Sequence, residues 1–268
     1  MSTILDNILA VKAEEVAAGK KDHPVDQLAD RCEKASPCRN FFQAVTAQTH
    51  RRINLIAEIK RKSPSAGVIR SDFDPVRIAQ HYQQADAAAL SVLTDETFFG
   101  GNLDYLQQVK DAVALPVLRK DFIIDPWQVY QSRLAGADAI LLIAEALPTG
   151  QLIDLLILAT ELKMTTLIEM HDVELLLKLR SMPGFPQQDN CLLGINNRDL
   201  RTFQVDINTT IRLAGMLEDT STLVAESGIR NREDITKLRR AGVRAVLVGE
   251  TLMRSDDIVT KVSELFDD

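Results

Sequence analysis

From about residue 50 onward the chain repeats one theme: a short aliphatic run, a polar turn, then an amphipathic stretch. No other feature constrains the fold as strongly. The aliphatic runs are Leu55–Lys60, Ala88–Leu93, Pro116–Lys120, Ala139–Ile143, Thr165–Met170, Leu192–Asn196, Thr222–Glu226 and Ala245–Val248. The helical patterns that follow them are Pro75–Gln84, Leu103–Ala112, Pro126–Ala135, Leu152–Leu162, Val173–Leu179, Ile207–Met216, Arg232–Ala241 and Asp256–Phe266. Asp74-Pro75 and Asp125-Pro126 each pair an N-cap with a first-turn proline. Gly136 and Gly242 stop their helices just before the next strand, and Gln84-Ala85-Asp86 takes the same place without a glycine. Strand–helix units of about 30 residues, repeated eight times, predict an α/β fold closed as a parallel (β/α)8 TIM barrel. A doubly wound open sheet also alternates strand and helix, but no Gly-x-Gly-x-x-Gly follows the first strand.

Residues 1–50 stand outside the repeat. Ile4, Leu5, Ile8, Leu9, Val11 and Val16 fall at helical spacing, and Val25, Leu28 and the Phe41-Phe42 pair add apolar anchors. The expectation is an N-terminal helical extension, residues 1–50, packed on a catalytic barrel of residues 51–268.

In such a barrel, chemistry gathers at the C-terminal ends of the strands. The first strand carries Glu58 and Lys60 two positions apart, hence on one face, then Arg61, Lys62 and Ser63-Pro64-Ser65. Later strand ends supply Arg119-Lys120-Asp121-Phe122, Glu169-Met170-His171, Gly194 to Leu200 with Asn196 and Arg198, Glu226-Ser227-Gly228, and Leu247-Val248-Gly249-Glu250. Singly, each has a structural explanation: Glu169 could cap a helix, Lys120 could be a solvated rim lysine, and Asn196 could satisfy a turn. Their convergence on one rim argues for a site. Gly228 and Gly249, in the last two loops, place backbone N–H groups where an anion such as phosphate can approach. Trp127 is expected to pack. Phe98 and Phe99 divide evenly between packing and ligand contact.

Composition narrows the partners. With 31 basic against 38 acidic side chains the net charge is −7, and no long basic tract is present, so nucleic acid is not an expected partner. No apolar stretch is long enough to span a bilayer, and no basic region precedes an apolar core at the start, so neither membrane insertion nor a secretory signal is expected. Cys32, Cys38 and Cys191 are few, odd in number and unpatterned, which fits the cytoplasm. His23, His50, His81 and His171 are dispersed, so no metal site is expected.

Five segments together are similar to one known family. Glu-x-Lys-Arg-Lys-Ser-Pro-Ser from Glu58, Leu-Arg-Lys-Asp-Phe from Leu118, Ile-Glu-Met-His-Asp from Ile168, Gly-Ile-Asn-Asn-Arg-Asp-Leu from Gly194 and Ala-Glu-Ser-Gly-Ile from Ala225 stand in barrel order. In that order they resemble the indole-3-glycerol phosphate synthases of tryptophan biosynthesis, in the form without a fused isomerase barrel. The resemblance implies ring closure of 1-(2-carboxyphenylamino)-1-deoxyribulose 5-phosphate with loss of carbon dioxide and water, and needs no cofactor. It assigns catalysis to Lys120 as acid and Glu169 as base, with Lys60, Glu58 and Asn196. It assigns substrate and phosphate contacts to Ser63, Pro64, Phe99, Phe122, Arg198, Leu200, Glu226, Ser227, Gly228, Leu247, Gly249 and Glu250. Neighbouring cations, Lys60 and Arg119, are expected to lower the Lys120 pKa. Glu250 would repel a phosphate unless its side chain turns away. A monomer is the expected state. The rival readings are a barrel aldolase that forms a Schiff base on Lys120 and a non-catalytic barrel subunit.

Overall fold

The computed structural model describes residues 3–180, 190–199 and 204–267. Helices α1 (Ile4–Asp22), α2 (Val25–Cys32) and α3 (Phe41–Thr46) precede strand β1 (Asn54–Ile59). A two-stranded hairpin follows, β2 (Lys62–Ser63) and β3 (Gly67–Val68), within the segment expected to be loop. The alternation then runs α4 (Pro75–Gln84), β4 (Ala89–Leu93), α5 (Asp104–Ala112), β5 (Val117–Lys120), α6 (Pro126–Leu134), β6 (Ala139–Ile143) and α7 (Thr149–Glu161). It continues β7 (Thr165–Met170), α8 (Val173–Arg180), β8 (Cys191–Asn196), α9 (Asn208–Ala214), β9 (Leu223–Glu226), α10 (Arg232–Arg240) and β10 (Ala245–Val248). A short α11 (Glu250–Met253), absent from the sequence reading, and α12 (Ile258–Phe266) end the series.

The barrel strands pair in parallel in the order β1-β10-β9-β8-β7-β6-β5-β4, and the β1–β4 pairing closes the ring. Every expected strand lies within a residue of its observed bounds, because aliphatic runs buried on both faces are bounded by strong turn signals. Asp74 accepts from the Val76 and Arg77 N–H groups, and Asp125 from that of Trp127, so both proline-led caps form. Gly136 and Gly242 take φ of 91° and 79°. Asp86 and Lys163 adopt the same left-handed turn, at 63° each, without glycine.

Two apolar layers result. Between barrel and helices lies the larger core, including Ile78, Tyr82, Leu106, Val129, Leu155, Ile168 and Leu238. Inside the barrel, inward residues such as Ile56, Leu118, Leu141, Leu167, Leu192, Val224 and Leu247 stack with Phe41 and Val45 of α3. Those two are fully buried, and α3 closes the N-terminal floor of the barrel. Asn54 at the start of β1 donates to the Val45 and Ala47 carbonyls at 2.7 and 2.8 Å. Arg39 supports the floor: its N–H donates to Asp138, and its guanidinium donates to the Lys110, Val113 and Leu115 carbonyls. Helices α1 and α2 pack outside, with Val16 and Leu28 against Trp127, whose Nε1–H donates to the His23 carbonyl at 2.8 Å. Trp127 is therefore a packing residue. Cys32, Cys38 and Cys191 are free thiols.

Candidate active site

Pleat alternation turns Glu58, Lys120, Glu169, Asn196 and Glu226 inward at the C-terminal ends of their strands. Glu58, Glu169 and Glu226 are at most 5% exposed and Asn196 is 7% exposed. Lys120 Nζ lies 2.7 Å from Glu169 Oε2 and 3.3 Å from Glu226 Oε2. Asn196 Nδ2 donates to the other Glu169 oxygen at 3.0 Å. Lys60, one residue beyond β1, forms an ion pair with Glu58. The expected acid–base set thus converges, with Glu226 added to it.

Electrostatics follow from this packing. Burial alone would depress the Lys120 pKa, but Glu169, Glu226 and Glu58 outweigh it and hold the ammonium well above its ordinary range. The expected lowering is therefore corrected. Arg119, adjacent in sequence, points to the other face of β5 and binds Asp121, Thr94, Gln131 and Ser132; Lys60 is engaged by Glu58. Glu226 is pushed up to about 8, first by burial and then by Glu169, against the pull of Lys120. Burial also opposes ionisation of Glu169, yet Lys120 and Asn196 hold it below the ordinary carboxylate value. The packing therefore favours the charged forms of Lys120 and Glu169 and the protonated form of Glu226.

These groups open into a cavity of about 470 Å³. Ser63, Pro64, Phe99, Phe122, Arg198, Glu226, Ser227, Gly228, Leu247, Gly249 and Glu250 all line it. Leu200 lies outside the described residues. Phe99 and Phe122 stand 6.0 Å apart between ring centroids and, with Leu93 and Ile143, form an apolar wall. Ile4, Leu5 and Ile8 of α1 reach the same cavity. Ser227 and Gly228 take consecutive left-handed φ values, 64° and 78°, a strained turn at the rim. Asn197 supports that turn, donating to the Ser227 carbonyl at 3.0 Å while Thr210 donates to its Oδ1. Glu250 turns to Arg254, whose Nε donates to it at 3.0 Å, and reaches toward Arg198 at 3.9 Å. Arg230, Arg254 and Lys261 also line the cavity. The sequence reading missed them, since they lie beyond the strand ends it examined.

A second buried charge cluster lies behind Lys120. Lys12 of α1 is 4% exposed and forms ion pairs with Asp95 at 3.1 Å and Asp121 at 3.0 Å. Asp121 follows Lys120 directly, and Asp95 Oδ1 accepts from the Phe98 and Phe99 N–H groups. One helix thus both walls the cavity and holds two loops of its rim. No group of three or more His, Cys, Asp or Glu suited to a metal occurs among the described residues. No helix among them is long and apolar enough to cross a membrane.

The family model described as indole-3-glycerol phosphate synthase matches residues 5–265. The chain belongs to the indole-3-glycerol phosphate synthase family. The family member from Rhodopirellula baltica is 47% identical over 263 residues, covering 98% of each chain. That from Neisseria gonorrhoeae is 49% identical over 269 residues, covering 99% of this chain and all of its own. Among solved structures, a tryptophan synthase chain of Pyrococcus furiosus matches 79% of this chain and 97% of its own with a TM-score of 0.57. Orotidine 5'-phosphate decarboxylase of Pyrococcus horikoshii matches 80% and 97% at the same TM-score. At 13% and 11% identity these two share the barrel fold alone.

Proposed function

We propose that Lys120 and Glu169 are the acid and base of the family reaction, and that Glu58, Lys60 and Asn196 complete the machinery. As a member of its family the chain is a carboxy-lyase of tryptophan biosynthesis. It closes the indole ring of 1-(2-carboxyphenylamino)-1-deoxyribulose 5-phosphate and releases carbon dioxide and water. The ring carbon bearing the carboxylate attacks the ketone, and Lys120 protonates the alkoxide. An alkoxide is far more basic than any lysine, so a raised pKa does not disqualify Lys120; it keeps the acid loaded at neutral pH. Loss of carbon dioxide returns its electron pair to the ring. In the dehydration Glu169 takes the carbon-bound proton while the hydroxyl leaves with a second proton from Lys60, held by Glu58. Two protons are delivered and one withdrawn, so the net proton consumed replaces the lost carboxylate.

The observation that carries this reading is the 2.7 Å contact between Lys120 and Glu169 at the base of the cavity. The proton collected by Glu169 can pass directly to Lys120 for the next turnover. The wall of Phe99, Phe122 and Pro64 suits the aromatic ring. The Ser227, Gly228, Gly249 and Glu250 backbone suits the phosphate, with Arg198 nearby to neutralise it and Leu247 beneath. Leu200 belongs to the same set by resemblance. Residues 1–50 serve as the closing element of the barrel at 51–268. The reading includes a cytoplasmic monomer, and three free thiols suit the reducing compartment. Single-turnover kinetics of Glu169→Gln tests the roles: ring closure persists and a hydroxylated, decarboxylated intermediate accumulates. Unchanged kinetics would reassign the base. Borohydride is expected to trap no substrate on Lys120; a covalent adduct would favour the Schiff-base aldolase chemistry.

A further inference from the structure

Gly194 lies in β8 with Glu169 as its register partner on β7, one inward step below Asn196. Its backbone does not call for glycine: it sits within a strand and is not among the residues of positive φ. What requires glycine is a neighbour. A Cβ at this position would collide with Glu226 Oε1, and it would also stand 3.2 Å from Leu167 Cδ1. Glu226, at the end of β9, has folded one carboxyl oxygen into the room that a side chain at 194 would fill. That oxygen is buried and makes no hydrogen bond, while its partner Oε2 faces Lys120. The arrangement recurs across the barrel, where a Cβ on Gly249 would collide with the Glu58 carboxylate.

We propose that Gly194 is a positioning residue of the active site: its missing side chain keeps the Glu226 carboxyl retracted beside Lys120 and Glu169. The proposal rests on the reading of Glu226 as part of the site. With alanine at 194 the carboxyl must swing up into the cavity, where water lowers its proton affinity. An ionised Glu226 then stands in the space of an anionic substrate. KM should rise and kcat should fall, and the limb of the kcat/KM profile governed by Glu226, near pH 8 in the parent, should move to lower pH.

A double-mutant cycle of Gly194→Ala and Glu226→Ala tests this, with kcat, KM, the pH profile and Tm as readouts. Gly194→Ala alone should lower kcat/KM about tenfold or more, the scale of coupling between residues in contact. In the Glu226→Ala background only the 3.2 Å approach to Leu167 Cδ1 remains, so the same substitution should cost almost nothing in kcat/KM and much less in Tm. Equal losses in both backgrounds would overturn the proposal. If Gly194→Ala does not fold while the double variant does, the collision is confirmed. If neither folds although Glu226→Ala does, glycine serves some other need and the proposal fails. Unchanged turnover in Glu226→Ala alone would instead remove Glu226 from the site, and the proposal with it.

Discussion

The floor and the mouth of the barrel are both closed by helices that precede β1, in opposite ways. At the floor, α3 drives Phe41 and Val45 among Ile56, Leu118, Leu167 and Val224, and all six are fully buried in apolar contact. At the mouth, α1 covers a cavity with Ile4, Leu5 and Ile8 while Glu58, Lys120, Glu169 and Glu226 stand beneath it. An apolar plug gains stability from every buried methylene. Buried charge costs desolvation that pairing only partly repays. The floor therefore carries stability and the mouth carries chemistry, and the two should respond differently to substitution.

The largest expected separation comes from Lys120→Ala. Loss of general acid catalysis should lower kcat by about 10²–10⁴-fold, with far-ultraviolet circular dichroism unchanged. A variant turning over at near-normal rate would take Lys120 out of the mechanism. Phe41→Ala should do the reverse, costing about 3–5 kcal/mol in urea unfolding while KM at room temperature stays put. If KM shifts first, the floor is not independent of the mouth. Truncation tests both ends at once. Removing α1 strips Lys12 from Asp95 and Asp121, so KM should rise by a larger factor than kcat falls. Extending the deletion through α3 removes the plug, and the product should lose cooperative unfolding. Should the shorter truncation keep full substrate affinity, α1 is a brace and nothing more.

The smallest effect concerns pH. The Glu226 pKa is about 8 in the folded protein against an ordinary 4.5. The native state thus holds this proton more tightly, and the stability it lends is complete below about 4.5 and is lost as pH rises through about 8. Glu169, shifted downward, acts in the opposite sense and loses its contribution on acidification. Glu226→Gln should flatten the decline of Tm between those two pH values. An identical slope in parent and variant would assign the decline to other groups.

The barrel is legible in the sequence because its period, its aliphatic runs and its helix-stopping glycines agree. Asp86 and Lys163 show where that signal thins, since each adopts a glycine-like turn that its type does not announce. The site is legible in part for the same reason, as strand ends can be located and their residues read off. The misjudged environment of Lys120 arises from treating Arg119 as a spatial neighbour, whereas adjacent strand residues face opposite ways. Gly249 reads as a phosphate contact, but its missing Cβ also makes room for Glu58, a partner on another strand. Lys12 is hidden more deeply. A lysine on an amphipathic helix looks solvated until Asp95 and Asp121 are known to lie beneath it.

The plug also bears on synthesis of the chain. Phe41 and Val45 leave the ribosome well before Ala245 and Leu247 of β10, with which they pack in one cluster. Until β10 is made those partners do not exist, so the nascent chain carries an incompletely covered aromatic pair, Phe41-Phe42. Contacts of such sequence separation form late, and an intermediate with an open floor would be the species most exposed to aggregation or to chaperone capture.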